Sequence, residues 1–175
     1  MSIKRFSTPI NFITFQLCWF ASVIGAANDL GWVGPILVLI AVPFQIILLT
    51  EHHRRETLFV FICGISGFFL ETAMIIGNVY FPLDQTWGQL CPPWMAALWF
   101  NFAMLVSISL TWLRKRYGLA FILGGLAGPI AYWGGEKLGA ISVSTAFWQG
   151  YFPLSILWAF VVPCLIYVHS KLIYE

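Results

Sequence analysis

Six long apolar stretches, at about 9–27, 30–50, 57–80, 93–113, 118–139 and 147–168, alternate with short polar segments. Each approaches the ~20 residues that cross a hydrocarbon core at 1.5 Å per residue. The pattern predicts an all-α fold, a polytopic bundle of six transmembrane helices, with residues 1–175 forming a single domain. Several of these helices should be kinked by Pro or Gly. The fifth, GLAFILGGLAGPIAYWGGEKLG over Gly118–Gly139, is unusually poor in side-chain bulk. Gly124/Gly128 and Gly135/Gly139 are small-xxx-small pairs that let a neighbouring backbone approach closely. Pro129 removes an amide donor and frees a carbonyl that some other group must satisfy. The stretch reads either as tight helix packing or as a broken helix beside a polar cavity.

Charge fixes the expected orientation. Lys4 and Arg5 precede the first stretch, Arg54 and Arg55 lie between the second and third, Arg114–Arg116 between the fourth and fifth, and Lys171 follows the sixth. The alternate loops hold Asp29, Asp84 and Glu136, with Lys137 as their basic residue. The positive-inside rule places the basic loops and both termini in the cytoplasm. The first stretch is longer than a signal-peptide core and carries Asn11 and Gln16, so it is expected to be retained as a helix. Gly34-Pro35 and Gly128-Pro129 each fall in the second helix of a three-helix half, which hints at an inverted repeat.

At 60% hydrophobic and 9% charged, the composition excludes a soluble globular class, and a net charge of +2 in short interhelical clusters does not suggest nucleic acid. Cys18, Cys63, Cys91 and Cys164 show no metal-ligand spacing; Cys91 alone falls in a loop and reads as a free thiol. His52, His53 and His169 all sit at the expected cytoplasmic edge. No metal site or cofactor is expected, and no nucleotide, zinc-protease or serine-hydrolase motif is present.

What remains is polarity at depth. Glu71 lies inside the third stretch and should face the bundle interior, because a carboxylate in lipid is costly. Gly64, Gly67, Glu71, Met74 and Asn78 recur at three- and four-residue steps as one small-and-polar face. Counting 1.5 Å per residue from the inner ends, Glu71, Asn101 and Tyr132 sit about 18–21 Å deep, with Ser22 and Ser155 near the same level. Glu71 is expected to hydrogen-bond Asn101 or Tyr132. The group is either a clasp across three helices or a ligand or proton site, with Gly128 and Pro129 of the glycine helix beside it. Ser107, Ser109 and Thr111 are expected to bond carbonyls of their own helix. Glu136 and Lys137 are expected to be solvated.

Phe15-Gln16 with Trp19-Phe20, Gly25-Ala26-Ala27, Trp32-Val33-Gly34-Pro35, Pro93-Trp94-Met95, Ser109–Leu113 and Gly128-Pro129-Ile130-Ala131-Tyr132 resemble an uncharacterised bacterial family of short integral inner-membrane proteins. The family is named only as a domain of unknown function, and the resemblance covers nearly the whole chain. Its members are often encoded beside cyclopropane-fatty-acid-synthase-like enzymes, which implies a part in membrane-lipid modification or stress response. Glu71 stands where the family carries an acidic residue. Val106-Ser107-Ile108-Ser109 stands where it carries a histidine, which weakens a catalytic-histidine reading.

The expected function is an inner-membrane protein that binds or moves a lipid or other small apolar molecule, accessory to lipid modification. Membrane lipids, and a membrane protein partner, are its expected company. A membrane-embedded enzyme using Glu71 as acid or base is one alternative. A solute-capturing subunit like those of vitamin transporters is another, on size and topology only.

Overall fold

The computed structural model describes residues 6–175, so Lys4 and Arg5 of the first basic cluster lie outside the described residues. The chain runs α1 (Ser7–Ala27), α2 (Val33–Leu49), α3 (His53–Ile76), β1 (Tyr80–Pro82), α4 (Pro93–Met104), α5 (Tyr117–Lys137), β2 (Ile141–Val143) and α6 (Tyr151–Tyr174). It is a bundle of six helices, and α1, α3, α5 and α6 are long and apolar enough to cross a membrane. Leu39, Phe69, Ile130 and Phe160 on its outside are each more than 60% exposed. A soluble protein does not leave so much bulky apolar surface in water.

Helix α4 is the hub, packed by α1, α2 and α3, whereas α5 runs chiefly against α6. The start of α1 meets the chain just after α4, through Ser109 to Thr8, and the end of α6 meets α3 through His169 and Glu56. The start of α1 and the end of α6 therefore share one end of the bundle, here the terminal end; the opposite end is the distal end. At the terminal end, Arg55 donates to the Leu172 carbonyl at 2.9 Å, and the Arg114 guanidinium lies over the Tyr174 ring. Both place positive charge at the C-terminus of α6, where the helix dipole favours it.

The distal end holds a feature the apolar pattern did not predict. β1 and β2 pair antiparallel, Tyr80 opposite Val143, and tie the α3–α4 loop to the α5–α6 loop. The all-α expectation is corrected to that extent. The strands are three residues each, too short for alternation to stand out beside 20-residue apolar runs.

The fourth stretch also departs from one continuous helix. It is α-helical to Met104, π-helical over Leu105–Ser109, and then turns through Thr111–Leu113. Similarly, α3 ends before Asn78, which adopts φ 57° and is exposed. Asn78 therefore leaves the small-and-polar face to which the periodicity assigned it. Gly64 and Gly67 stay on that face and receive the rings of Phe100 and Trp99 from α4.

Tight packing of the glycine helix is present at Gly124 and Gly128. A Cβ at Gly124 would sit 2.3 Å from the Trp158 carbonyl oxygen, and one at Gly128 2.3 Å from the Trp158 ring. Gly135 and Gly139 do not form a second helix contact. Gly139 lies beyond the end of α5 at φ 83°, where it turns the chain toward β2. The carbonyl that Pro129 leaves without its amide is that of Gly125, four residues earlier. Ser155 of α6 donates to it at 2.7 Å. The two Gly-Pro steps occupy unlike places, since Pro35 is the third residue of α2 and Pro129 lies in the interior of α5.

Candidate functional site

Glu71 is buried on the face of α3 that Gly64 and Gly67 press against α4. Its Oε1 accepts hydrogen bonds from Trp99 Nε1 at 2.8 Å and from the Tyr132 hydroxyl at 2.6 Å. Its Oε2 accepts from the Tyr80 hydroxyl at 2.5 Å, and that hydroxyl also lies 3.0 Å from Met95 Sδ. The carboxyl thus joins α3, α4, α5 and the strand pair. Tyr132 is a partner the depth count anticipated. Tyr80 comes from the short β1 strand, and Trp99 from a residue type that reads as plain apolar bulk.

Asn101 is not a partner of Glu71. Its Nδ2 donates to the Phe15 carbonyl at 3.0 Å, toward α1. The reason is angular: at 3.6 residues per turn, two positions turn a side chain by ~200°. With Trp99 facing α3, Asn101 faces the other way. Shared depth is therefore not shared direction. Ser22, at the same level, bonds the Cys18 carbonyl of its own helix.

Beside this carboxyl lies a cavity of about 400 Å³ between α1 and α4 on one side and α5 and α6 on the other. Its α5 wall is the stripe Leu123, Gly124, Ala127, Gly128, Ala131, Tyr132 and Gly135, spaced three and four apart. Missing side chains at the glycines and alanines make room, and the stacked rings of Trp99 from α4 and Trp158 from α6 border it. Leu123, Ala127 and Ala131 are exposed, so the cavity opens on the side of the bundle. Glu71, Gly128 and Tyr132 all border it, and of the predicted residues Asn101 and Pro129 do not. Trp94, at the distal end, also lines it; the indole N–H, on a residue only 3% exposed, has no hydrogen-bond partner.

A second buried polar group occupies the terminal end, and the sequence reading missed it. Glu56 accepts from Ser107 at 2.8 Å and pairs with His169 Nε2 at 3.3 Å. Asn11 donates to Gln45 at 2.7 Å and to the Met104 carbonyl at 3.1 Å, and accepts from Ser109. Ser107 and Ser109 therefore reach other helices instead of their own carbonyls, because the π-helical turn carrying them re-aims both side chains. Thr111 does bond locally, to Ile108. His169 is buried and does not lie at an aqueous edge. Ser107 and His169 both bond Glu56 and not each other, so no nucleophile–base pair is formed.

Of two loop expectations, one is corrected and the other holds with a difference. Glu136 is not simply solvated; it accepts from the Val143 amide at 2.9 Å and the Tyr151 hydroxyl at 2.7 Å, fastening the turn into β2. Cys91 is free but buried, 2% exposed, with Sγ facing the Pro92 carbonyl. Burial, and then the nearby Glu71 carboxyl, push its thiol pKa well up. Among the described residues no three His, Cys, Asp or Glu side chains gather as a metal site.

A family model described as protein of unknown function (DUF2878) matches residues 8–164, and the chain belongs to that family. No curated protein and no solved structure matches it.

Proposed function

We propose that this member of the DUF2878 family is a six-span inner-membrane protein that binds an apolar, chain-like molecule in the cavity between α1/α4 and α5/α6. The observation carrying the reading is that cavity: elongated, lined almost wholly by apolar side chains, and open sideways where a membrane would supply lipid. Pockets of a few hundred Å³ lined in this way are the usual form of small-molecule sites. An accessory part in membrane-lipid modification rests on the family resemblance alone.

Six spans are supported by length. α2 and the run Pro93–Ser109 each have 17 residues, the lower limit for crossing a bilayer. The basic residues Arg54, Arg55, Arg114, Lys115, Arg116 and Lys171 gather at the terminal end, which the positive-inside rule makes cytoplasmic. An impermeant maleimide added outside should label a Trp87→Cys variant and spare a Lys115→Cys variant. Native Cys91 should stay unlabelled despite its loop position, because its thiol is buried and protonated. Labelling at 115 would reverse the orientation.

An enzyme using Glu71 is favoured by one observation, that the carboxyl borders the cavity. Against it, both oxygens are already held by three donors of the protein, the arrangement of a clasp. Capture of a polar vitamin-sized solute finds few polar groups in the lining.

The test is native mass spectrometry of protein purified in mild detergent. A recurrent co-purifying lipid is expected, lost in an Ala127→Trp variant whose indole fills the mouth. Retention of the same lipid by that variant, or none bound to the wild type, would remove the cavity from consideration.

A further inference from the structure

We propose a second lipid site on another face of α4: the groove between α2 and α3 holds an acyl chain of a membrane phospholipid, with its phosphate at Arg54 beside His53. The inference rests on the chain's lying in a membrane. It does not depend on the cavity beside Glu71, with which the groove shares no lining residue.

The groove forms because α2 and α3 each pack on α4 and meet one another little. Its floor is Ala96, Ala97 and Phe100 of α4, where two small side chains keep α4 low between its neighbours. Along α2 it runs from Pro35 to Ile47, about 18 Å at 1.5 Å per residue. That is more than half of the ~30 Å hydrocarbon core, deep enough for the chain of a lipid in one leaflet. Leu39, Ile47 and Phe61 on its rims are exposed, so it is open to the surrounding lipid.

Polarity is confined to one end. The lining is apolar from Pro35 and Pro93 at the distal end as far as Ile47, and its polar residues, His53 and Thr57, both stand at the terminal end. The Thr57 hydroxyl is spent on the His53 carbonyl, at 2.8 Å, which leaves the imidazole. Arg54 stands on the same side. It comes seven residues before Phe61, so it lies within ~20° of that residue's direction around α3. Arg55 points elsewhere, to the Leu172 carbonyl of α6.

Charge then selects the head. Residues 51–55 are all exposed, and Arg54 and Arg55 outweigh Glu51 among them, while Glu56 is buried against Ser107 and His169. The rim is therefore basic where the apolar floor ends. An amphiphile that fits both needs a long hydrocarbon chain and an anionic head at one end. A phospholipid supplies them. Arginine presents a fork of donors that matches phosphate oxygens, and basic residues at a membrane surface attract anionic lipid. A neutral glyceride would leave this end unmatched.

The experiment compares dioleoylphosphatidylglycerol with dioleoylglycerol, which lacks the phosphate, as adducts in native mass spectrometry. Wild type should retain the phospholipid about tenfold more than the glyceride, the worth of one hydrogen bond to a charged group. Arg54→Gln, at an exposed position, should abolish that preference and leave the glyceride unchanged. Ala96→Phe, which raises the groove floor, should also abolish it, whereas Ala127→Trp in the other cavity should preserve it. A phosphatidylglycerol with a diazirine in its acyl chain should crosslink to wild type chiefly within 35–47 of α2 and 57–61 of α3. Equal retention of the two lipids by wild type, an undiminished preference in Arg54→Gln or Ala96→Phe, or crosslinks spread over all six helices would each overturn the site. Loss of the preference in Ala127→Trp would move the phospholipid to the cavity beside Glu71, overturning the groove and leaving the earlier reading standing.

Discussion

Glu71→Leu is expected to destabilise the bundle by about 2–6 kcal/mol, enough to lose most of the folded protein. The leucine removes the acceptor of Trp99 Nε1 and the Tyr132 hydroxyl, both deep in the core. Each buried donor left unpaired costs about 1–3 kcal/mol. Tyr80 suffers less, because its hydroxyl can turn to Met95 Sδ. Glu71→Gln should behave differently. Its Oε1 keeps both Trp99 and Tyr132, and its amide meets a Tyr80 hydroxyl free to point its own proton at Met95. The loss should stay within about 1 kcal/mol. Unfolding in mixed micelles measures both variants, and native mass spectrometry reads bound lipid in parallel. A clasp predicts that Gln keeps fold and lipid together. A Gln variant with wild-type stability and no lipid would instead make the carboxyl a ligand contact, and a harmless Leu would mean that Glu71 does not face the core.

The second large effect is expected at the α5–α6 interface. Gly124→Leu should cost about 3 kcal/mol or more. Its first side-chain atom would fall 2.3 Å from a backbone oxygen, that of Trp158, and 2.9 Å from Val162. A backbone cannot swing aside, so the helices must part. Gly128→Leu should cost about as much, because its first atom would fall 2.3 Å from the Trp158 ring and 2.5 Å from Trp158 Cβ, which the backbone of α6 holds in place. Leu126→Ala, on the exposed side of α5, should change stability by about 0.5 kcal/mol or less. Thermal melting of the three in one detergent gives the order. Gly124→Leu melting with the wild type would disprove the close approach of the two helices.

Much of this architecture is written locally. Six apolar runs bounded by charge specify six helices, because burial of backbone in an apolar medium allows little else. Gly124 and Gly128 announce a close neighbour, since nothing but packing rewards an absent side chain in a helix interior. Glu71 announces an inward direction for the same solvation reason. These inferences need one helix at a time, and they hold.

What failed needed two elements at once. Depth along a helix is additive in residue number, so Tyr132 was correctly placed level with Glu71. Direction around the helix depends on packing, and it turned Asn101 to α1 while bringing in Trp99. Tyr80 reaches the carboxyl because three-residue strands pair across two loops, an interaction with no local signature. Ser107 and Ser109 left their own carbonyls at a π-helical turn that no residue pattern marks. Composition and periodicity thus determined the solvent of this protein, its helices and the burial of its carboxyl, because those follow from each residue's own transfer free energy. The partners of Glu71, the Glu56–His169 pair and the cavity were decided by tertiary structure, because each is a relation between surfaces distant in the chain.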